Sequence, residues 1–211
     1  MTTRCDCTMS AHAPAARVVL TGGPGAGKTA VLEVVRQHLC EHVAVLPEAA
    51  SIVFGGGFPR QGDEVGRRAS QRAIFHVQVE LERLAVETGR AALILCDRGV
   101  VDGSIYWPGG PEDYWRDVGM TRAEALARYR TVIHLRTPAA DRGYNHDNPV
   151  RTESALDAIA LDERLLAAWG AHPHRVVVDS AESFLDKLSA TLRVLRDELP
   201  ACCREHIAAP P

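Results

Sequence analysis

Lysine is nearly missing from this chain. Of its 24 basic residues only Lys28 and Lys187 are lysines, and the other 22 are arginines. In an alanine-rich sequence this is the mark of a high-GC genome, where arginine codons displace lysine codons, so each retained lysine calls for a reason. An excess of basic charge is also absent. Asp plus Glu number 27 and the formal net charge is −3, which removes the footprint of a nucleic-acid coat. No apolar run approaches the roughly 18 residues of a membrane span. Residues 1–16 hold no apolar segment between a basic flank and a cleavage site, so a cytoplasmic chain without a secretory signal is expected. The six cysteines show no C-x₂-C zinc spacing. Cys5, Cys7, Cys202 and Cys203 read as thiols of the chain ends, and Cys40 and Cys96 as small buried hydrophobes. A metal clip or a disulfide joining the termini is the alternative.

What remains is an ordinary globular composition, 46% hydrophobic and 24% charged over 211 residues, enough for one α/β domain. Residues 1–16 and 200–211 lack periodicity and read as tails flanking a folded domain at 17–199. Short apolar runs at 17–21, 43–46, 91–96, 131–135 and 175–178 read as five buried strands. Helical spacing predicts helices over 28–42, 64–88, 154–169 and 182–199, with a further one opening at a Thr121/Glu124 capping box. The long helix over 64–88 is expected to bury Ile74, Val77, Leu81 and Leu84, and the last one Phe184, Leu188, Leu192, Leu195 and Leu199. Strands alternating with helices require crossovers, hence a mainly parallel sheet with helices on both faces.

The first strand ends in Gly22-Gly23-Pro24-Gly25-Ala26-Gly27-Lys28-Thr29, which fits G-x-x-x-x-G-K-[ST] and opens a helix. Glycines let successive N–H groups converge on phosphate oxygens, and the helix N-terminus adds a favourable dipole. Gly23, Pro24, Gly25, Ala26, Gly27, Lys28, Thr29 and Ala30 are therefore the expected nucleotide-binding residues. Lys28 would reach the β- and γ-phosphates and Thr29 would offer a hydroxyl to Mg²⁺. A planar guanidinium does not suit that cradle, which explains the first of the two lysines. The fold class is thus a three-layer P-loop NTPase fold.

Asp97 and Arg98 follow the third strand, at the sheet edge where a carboxylate meets the Mg²⁺ shell, so Thr29 and Asp97 form the expected metal pair. Arg98 beside them could bind a phosphate or a substrate hydroxyl; a strand-end Asp capping a helix is the alternative for Asp97. Glu48, after the second strand, could take a proton from an attacking hydroxyl, or could complement the dipole of the next helix. The polar segment from Arg136 to Arg151 reads as a lid whose Arg142 or Arg151 would reach the transferring phosphoryl group, or as a solvated loop whose arginines pair with local acids. Arg60, His76, Gln78, Tyr106 and Trp107 are the expected acceptor pocket. Aromatics make up only 5% of the chain, so an adjacent Tyr106-Trp107 pair suits the stacking of a planar group, although either ring could be core.

On these residues the chain resembles a family of small P-loop proteins grouped as AAA-type ATP/GTP-binding domains, which includes the NadR-like nicotinamide riboside kinase domain. The resemblance runs from about residue 17 to 196. It rests on the 18–29 segment, Pro47-Glu48-Ala49, Arg72 to Gln78, Cys96-Asp97-Arg98-Gly99, Asp102-Gly103, Tyr106-Trp107-Pro108, His134-Leu135-Arg136 and Asn148-Pro149-Val150-Arg151. The order of parts is also similar to that of deoxynucleoside kinases. That likeness implies Glu48 as base, Gln78 as a reader of the acceptor's base, and Asp97 with Arg98 as the acidic–Arg pair. Here the third-strand motif is Asp-Arg-Gly, where those enzymes carry Glu/Asp-Arg-Ser. The resemblance implies an Mg²⁺-dependent kinase moving the γ-phosphoryl of ATP to a small nucleoside-like hydroxyl. GTP remains possible as donor, ATP being favoured by the lack of an Asn-Lys-x-Asp guanine signature. The alternative is a regulatory ATP/GTP-binding module with slow hydrolysis and a protein or lipid partner, as animal relatives linked to GTP and phosphoinositides imply. No acidic pair ends a strand and no helical lid domain follows, so a ring motor is not expected. No nucleic-acid partner is expected, and no oligomeric state is specified.

Overall fold

A computed structural model describes residues 15–138, 155–180 and 183–204. Five strands form one sheet in the order β2-β3-β1-β4-β5: β1 (Ala16–Thr21), β2 (Val43–Leu46), β3 (Leu93–Asp97), β4 (Thr131–Leu135) and β5 (Arg175–Val178). Every pairing is parallel, with Val18 of β1 opposite both Leu95 and Thr131. The continuous hydrophobicity of the central strands follows, because helices cover both faces. Val18, Leu20, Leu93, Leu95, Ile133 and Leu135 face one core with α1 (Lys28–His38) and α7 (Phe184–Glu198). Val19, Ile94, Cys96 and Val132 face the other, with Phe75 of α3 (Glu64–Glu87), Tyr114 and Trp115 of α4 (Pro111–Val118), Ala125 of α5 (Arg122–Ala127), and Trp169. α2 (Ala49–Gly55) lies against α3, and α6 (Ala155–Ala168) precedes β5. The capping box at Thr121/Glu124 forms in both directions, satisfying two N–H groups at the start of α5.

Four sequence expectations change. The first helix stops at His38 because Leu39 turns extended, which carries Leu39 and Cys40 into the core instead of onto a further turn. The inward face of α3 is Ser70, Phe75, Gln78 and Glu82, whereas Leu84 is 61% exposed. A polar row can sit inside because it is paired: Glu82 accepts hydrogen bonds from Arg128, from the Tyr129 hydroxyl at 2.6 Å and from Gln78 at 3.0 Å. Phe184 is 44% exposed and leaves the core of α7 to Leu188, Leu192, Leu195 and Leu199. Finally, part of the expected C-terminal tail is structured: α8 (Ala201–Arg204) buries Cys203 against the α1/α7 core.

Candidate functional site

β1 delivers the chain at the C-terminal edge of the sheet, where it turns through Gly22–Thr29 into α1. Two of the glycines are sterically required. Gly22, at φ 139°, passes so close to β4 that an added Cβ would lie 2.1 Å from the Leu135 carbonyl oxygen. Gly27 caps α1 at φ 94°, and its missing Cβ leaves room for the Phe184 ring. Lys28 donates from Nζ to the carbonyls of Gly22 at 2.6 Å and Gly23 at 3.0 Å. Ala26 is buried, while Thr29 and Ala30 are exposed on the first turn of α1.

The loop is braced from three other elements. Asp162 of α6 accepts from the Gly23 N–H at 2.9 Å, lies 2.9 Å from His134 Nε2 and pairs with Arg136 Nε at 3.0 Å. Lys187 of α7 donates to the carbonyls of Ala26 at 3.2 Å and Arg136 at 2.7 Å. Thr137 donates to the Pro24 carbonyl at 3.1 Å. The second lysine thereby gains its reason: a slender stem with a compact ammonium reaches two buried carbonyls that a guanidinium would crowd. Sequence reasoning missed Asp162, which sits on α6 with no motif around it, and had only rarity as a signal for Lys187.

Asp97 ends β3 directly beside Leu20 of β1. Burial, and then the neighbouring Glu48 carboxylate, push its carboxyl up to about 6. Arg98 adopts φ 70°, a left-handed conformation that costs an L-residue energy and is held by its surroundings. Its Nε donates to Glu48 Oε1 at 2.7 Å, and its Nη1 is buried with no hydrogen-bond partner among the described residues. Glu48, at the N-cap of α2, accepts on its other oxygen from Ser51 at 2.7 Å. Burial opposes ionisation of Glu48, but Arg98, the Ser51 hydrogen bond and Lys28 outweigh it and hold the carboxyl below its ordinary value. Lys28 is brought down to about 7, first by burial and then by the Arg98 charge. Two carboxylates beside one lysine and one arginine balance in charge; Asp97 brings carboxylate oxygens to the edge of the phosphate loop, and the exposed Thr29 hydroxyl opens the adjoining helix. Both fit an oxygen-liganded Mg²⁺.

Beside this cluster opens a cavity of about 570 Å³, walled by Pro24, Glu48, Phe54, Arg60, Gln78, Arg98 and Tyr106 among others. Its size is that of a small-molecule site. Arg60 lies over the Phe54 ring at 4.3 Å, and Arg67 donates to the Tyr106 carbonyl at 2.9 Å. Gln78 has one amide hydrogen committed to Glu82, which fixes its orientation at the wall. Gln61, Gln71 and Tyr114 also line this space and carried no sequence signal. Two expected pocket residues lie elsewhere. His76 is exposed on the outer side of α3, one residue off the inward face. Trp107 is core: its indole N–H donates to Asp113 at 3.0 Å and Arg68 stacks on its ring at 4.9 Å. Arg142 and Arg151 lie outside the described residues. No helix among the described residues is long and apolar enough to cross a membrane.

A family model described as AAA domain matches residues 17–187. No curated protein matches the chain. Solved structures do, in 198 chains. One is the NadR protein in complex with NAD and AMP-PNP, similar at a TM-score of 0.61 with 15% identity. That likeness is one of fold; it covers 87% of this chain and 49% of the other, so this chain spans about half the length of the NadR chain.

Proposed function

The chain belongs to the AAA domain family, and from that premise we propose that it is a small-molecule kinase moving the γ-phosphoryl group of ATP to a hydroxyl of a nucleoside-like acceptor. The observation that carries this reading is the cavity itself. A phosphate loop serving only as a switch has no need of a second cavity beside it, yet here Pro24, Glu48 and Arg98 share a cavity wall with Gln78, Tyr106 and Arg60. AMP-PNP in the similar NadR structure supports an adenine nucleotide as donor, and NAD there supports an acceptor with a nucleoside or nicotinamide moiety.

In this mechanism Lys28 lies on the β- and γ-phosphate oxygens as a cation, and the loop N–H groups fix the donor in line. The acceptor hydroxyl oxygen bonds to the γ-phosphorus as the bond to the β,γ-bridging oxygen breaks. ADP leaves, and the hydroxyl proton passes to the Glu48 carboxylate. Held below its ordinary pKa, Glu48 is a weak base, which suits a loose transition state in which the proton is lost late. Arg98 keeps Glu48 in place through Nε and offers Nη1 to the moving phosphoryl group. A magnesium ion held by Thr29 and Asp97 would supply charge neutralisation at the phosphate oxygens.

The test is to follow the label of γ-labelled ATP or GTP in the presence of Mg²⁺, with nucleosides and nicotinamide riboside as candidate acceptors and a cell extract as a source of others. Label is expected in an organic phosphate, with ATP as the better donor. Label released only to water, with no response to any addition, would replace the kinase by a nucleotide-controlled binding module.

A further inference from the structure

At the opposite edge of the sheet, far from the phosphate loop, three side chains converge without any part in the chemistry above. Cys40 follows the end of α1, His42 directly precedes β2, and Cys203 lies on α8. All three are buried, at 3%, 2% and 1% exposure. His42 Nδ1 lies 3.1 Å from Cys203 Sγ, although 161 residues separate the two in sequence. Cys203 also hydrogen-bonds to the Cys40 thiol, and Cys202 Sγ lies 3.6 Å from Cys203 Sγ on the partly exposed side. The Cys40, His42 and Cys203 ligand atoms all fall within 4.8 Å of one another. We propose that Cys40, His42 and Cys203, completed by Cys202, form a structural zinc site that clips the C-terminal helix to the α1–β2 turn.

Donor type, number and spacing all favour this assignment. Three thiols and one imidazole are the Cys₃His set of closed, tetrahedral zinc centres. Zinc–sulfur and zinc–nitrogen bonds of about 2.3 and 2.0 Å set ligand–ligand edges of roughly 3.5–3.8 Å. The Cys202–Cys203 separation of 3.6 Å falls inside that range, the His42–Cys203 separation of 3.1 Å lies just below it, and the widest pair among Cys40, His42 and Cys203 needs to close by no more than about 1 Å. The frame is fixed before metal arrives. The Val43 N–H donates to the Cys40 carbonyl at 3.0 Å, Ala92 and Leu93 donate to the His42 carbonyl at 2.8 and 3.1 Å, and the Cys203 N–H donates to Pro200 at 2.9 Å. The surroundings are Val and Leu side chains of the α1/α7 core, an apolar shell that favours soft thiolate ligation of zinc over hard, oxygen-seeking cations. On binding, the thiols lose their protons to solvent as zinc–sulfur bonds form, and the imidazole binds through Nδ1 in its neutral form.

The full chain, expressed in zinc-containing medium and purified under reducing conditions, is expected to carry one equivalent of zinc by elemental mass spectrometry. Cys203→Ser and His42→Gln are expected to lose it, and a Cys5→Ser/Cys7→Ser double variant to keep it. Because a core variant can fail to fold, the parent chain is also stripped of metal and titrated with Co²⁺. A thiolate-to-cobalt charge-transfer band with intense tetrahedral d–d bands is expected. Absence of both zinc and these bands would overturn the proposal. So would a Cys40–Cys203 disulfide found by non-reducing mass spectrometry, or zinc whose retention depends on Cys5 and Cys7.

Discussion

Lys28 and Asp97 are shifted towards one another, down to about 7 and up to about 6, and this sets the pH window of the site. Asp97 must be a carboxylate to help hold Mg²⁺, so the association constant for Mg·ATP should rise with pH up to about 6. Lys28 must be a cation to meet phosphate, so the constant should fall as pH climbs past about 7, each limb approaching about tenfold per pH unit. Calorimetric titrations across pH 5 to 9 should trace this bell, and Asp97→Asn should flatten its acid limb and move its alkaline limb to lower pH, because the Asp97 carboxylate raises Lys28. Glu48→Gln should leave nucleotide affinity nearly intact while phosphoryl transfer drops on the order of 10²–10⁴-fold, measured by product formation. A third residue-scale expectation concerns Gly99, where the deoxynucleoside-kinase pattern has a serine. An added Cβ would lie 2.9 Å from Val19 and 3.0 Å from the Trp169 ring. Trp169 cannot easily yield, because its indole N–H donates to the buried Asp102 at 2.7 Å. Gly99→Ser should therefore lower the thermal midpoint, with about 1–3 kcal/mol lost to overpacking. The phosphate loop and the strand-end Asp97-Arg98 pair were legible in sequence because contiguous residues form each of them. The braces Asp162 and Lys187, and the side of α3 on which His76 falls, were not, since each depends on a partner distant in the chain.

Among the elements, α3 departs furthest from its sequence pattern. A count of apolar residues at helical spacing selects Ile74, Val77, Leu81 and Leu84, yet Glu82 is fully buried and Leu84 is not. Periodicity registers hydrophobicity, whereas the helix is seated by charge pairing. Arg128 of the segment before β4 pairs with Glu82 at 2.7 Å, and Arg17 of β1 at 3.4 Å. Removing the carboxylate strands those cations and the Tyr129 hydroxyl against an apolar layer. Glu82→Ala should cost about 3–5 kcal/mol of stability by urea denaturation, more than the exposed Leu84→Ala by several-fold. Because Gln78 donates to the same carboxylate, this variant should also loosen the cavity wall and weaken acceptor binding while leaving nucleotide affinity intact. The strands, by contrast, were placed within a residue or two. Runs such as Leu93 to Cys96 are apolar on both faces, and that pattern is written locally.

Taken whole, the molecule is organised around a central strand, β1, both of whose neighbours lie downstream. Its partners are β3, which begins at Leu93, and β4, which begins at Thr131. Among the described residues there is no hairpin with which to begin folding, and each sheet contact closes a loop of many tens of residues. The order of synthesis then acquires a meaning that the finished fold conceals. Once β1 has been made, more than seventy further residues must be added before β3 is complete, about 4–15 s at ordinary translation speeds. Through that interval Val18, Val19 and Leu20 form an apolar strand with no partner on either side. A nascent chain arrested before Leu93 should remain open to protease across β1, and one arrested beyond Leu135 should become protected there. The strand that ends in the phosphate loop thus precedes both of its partners in synthesis and is safe only once both have arrived.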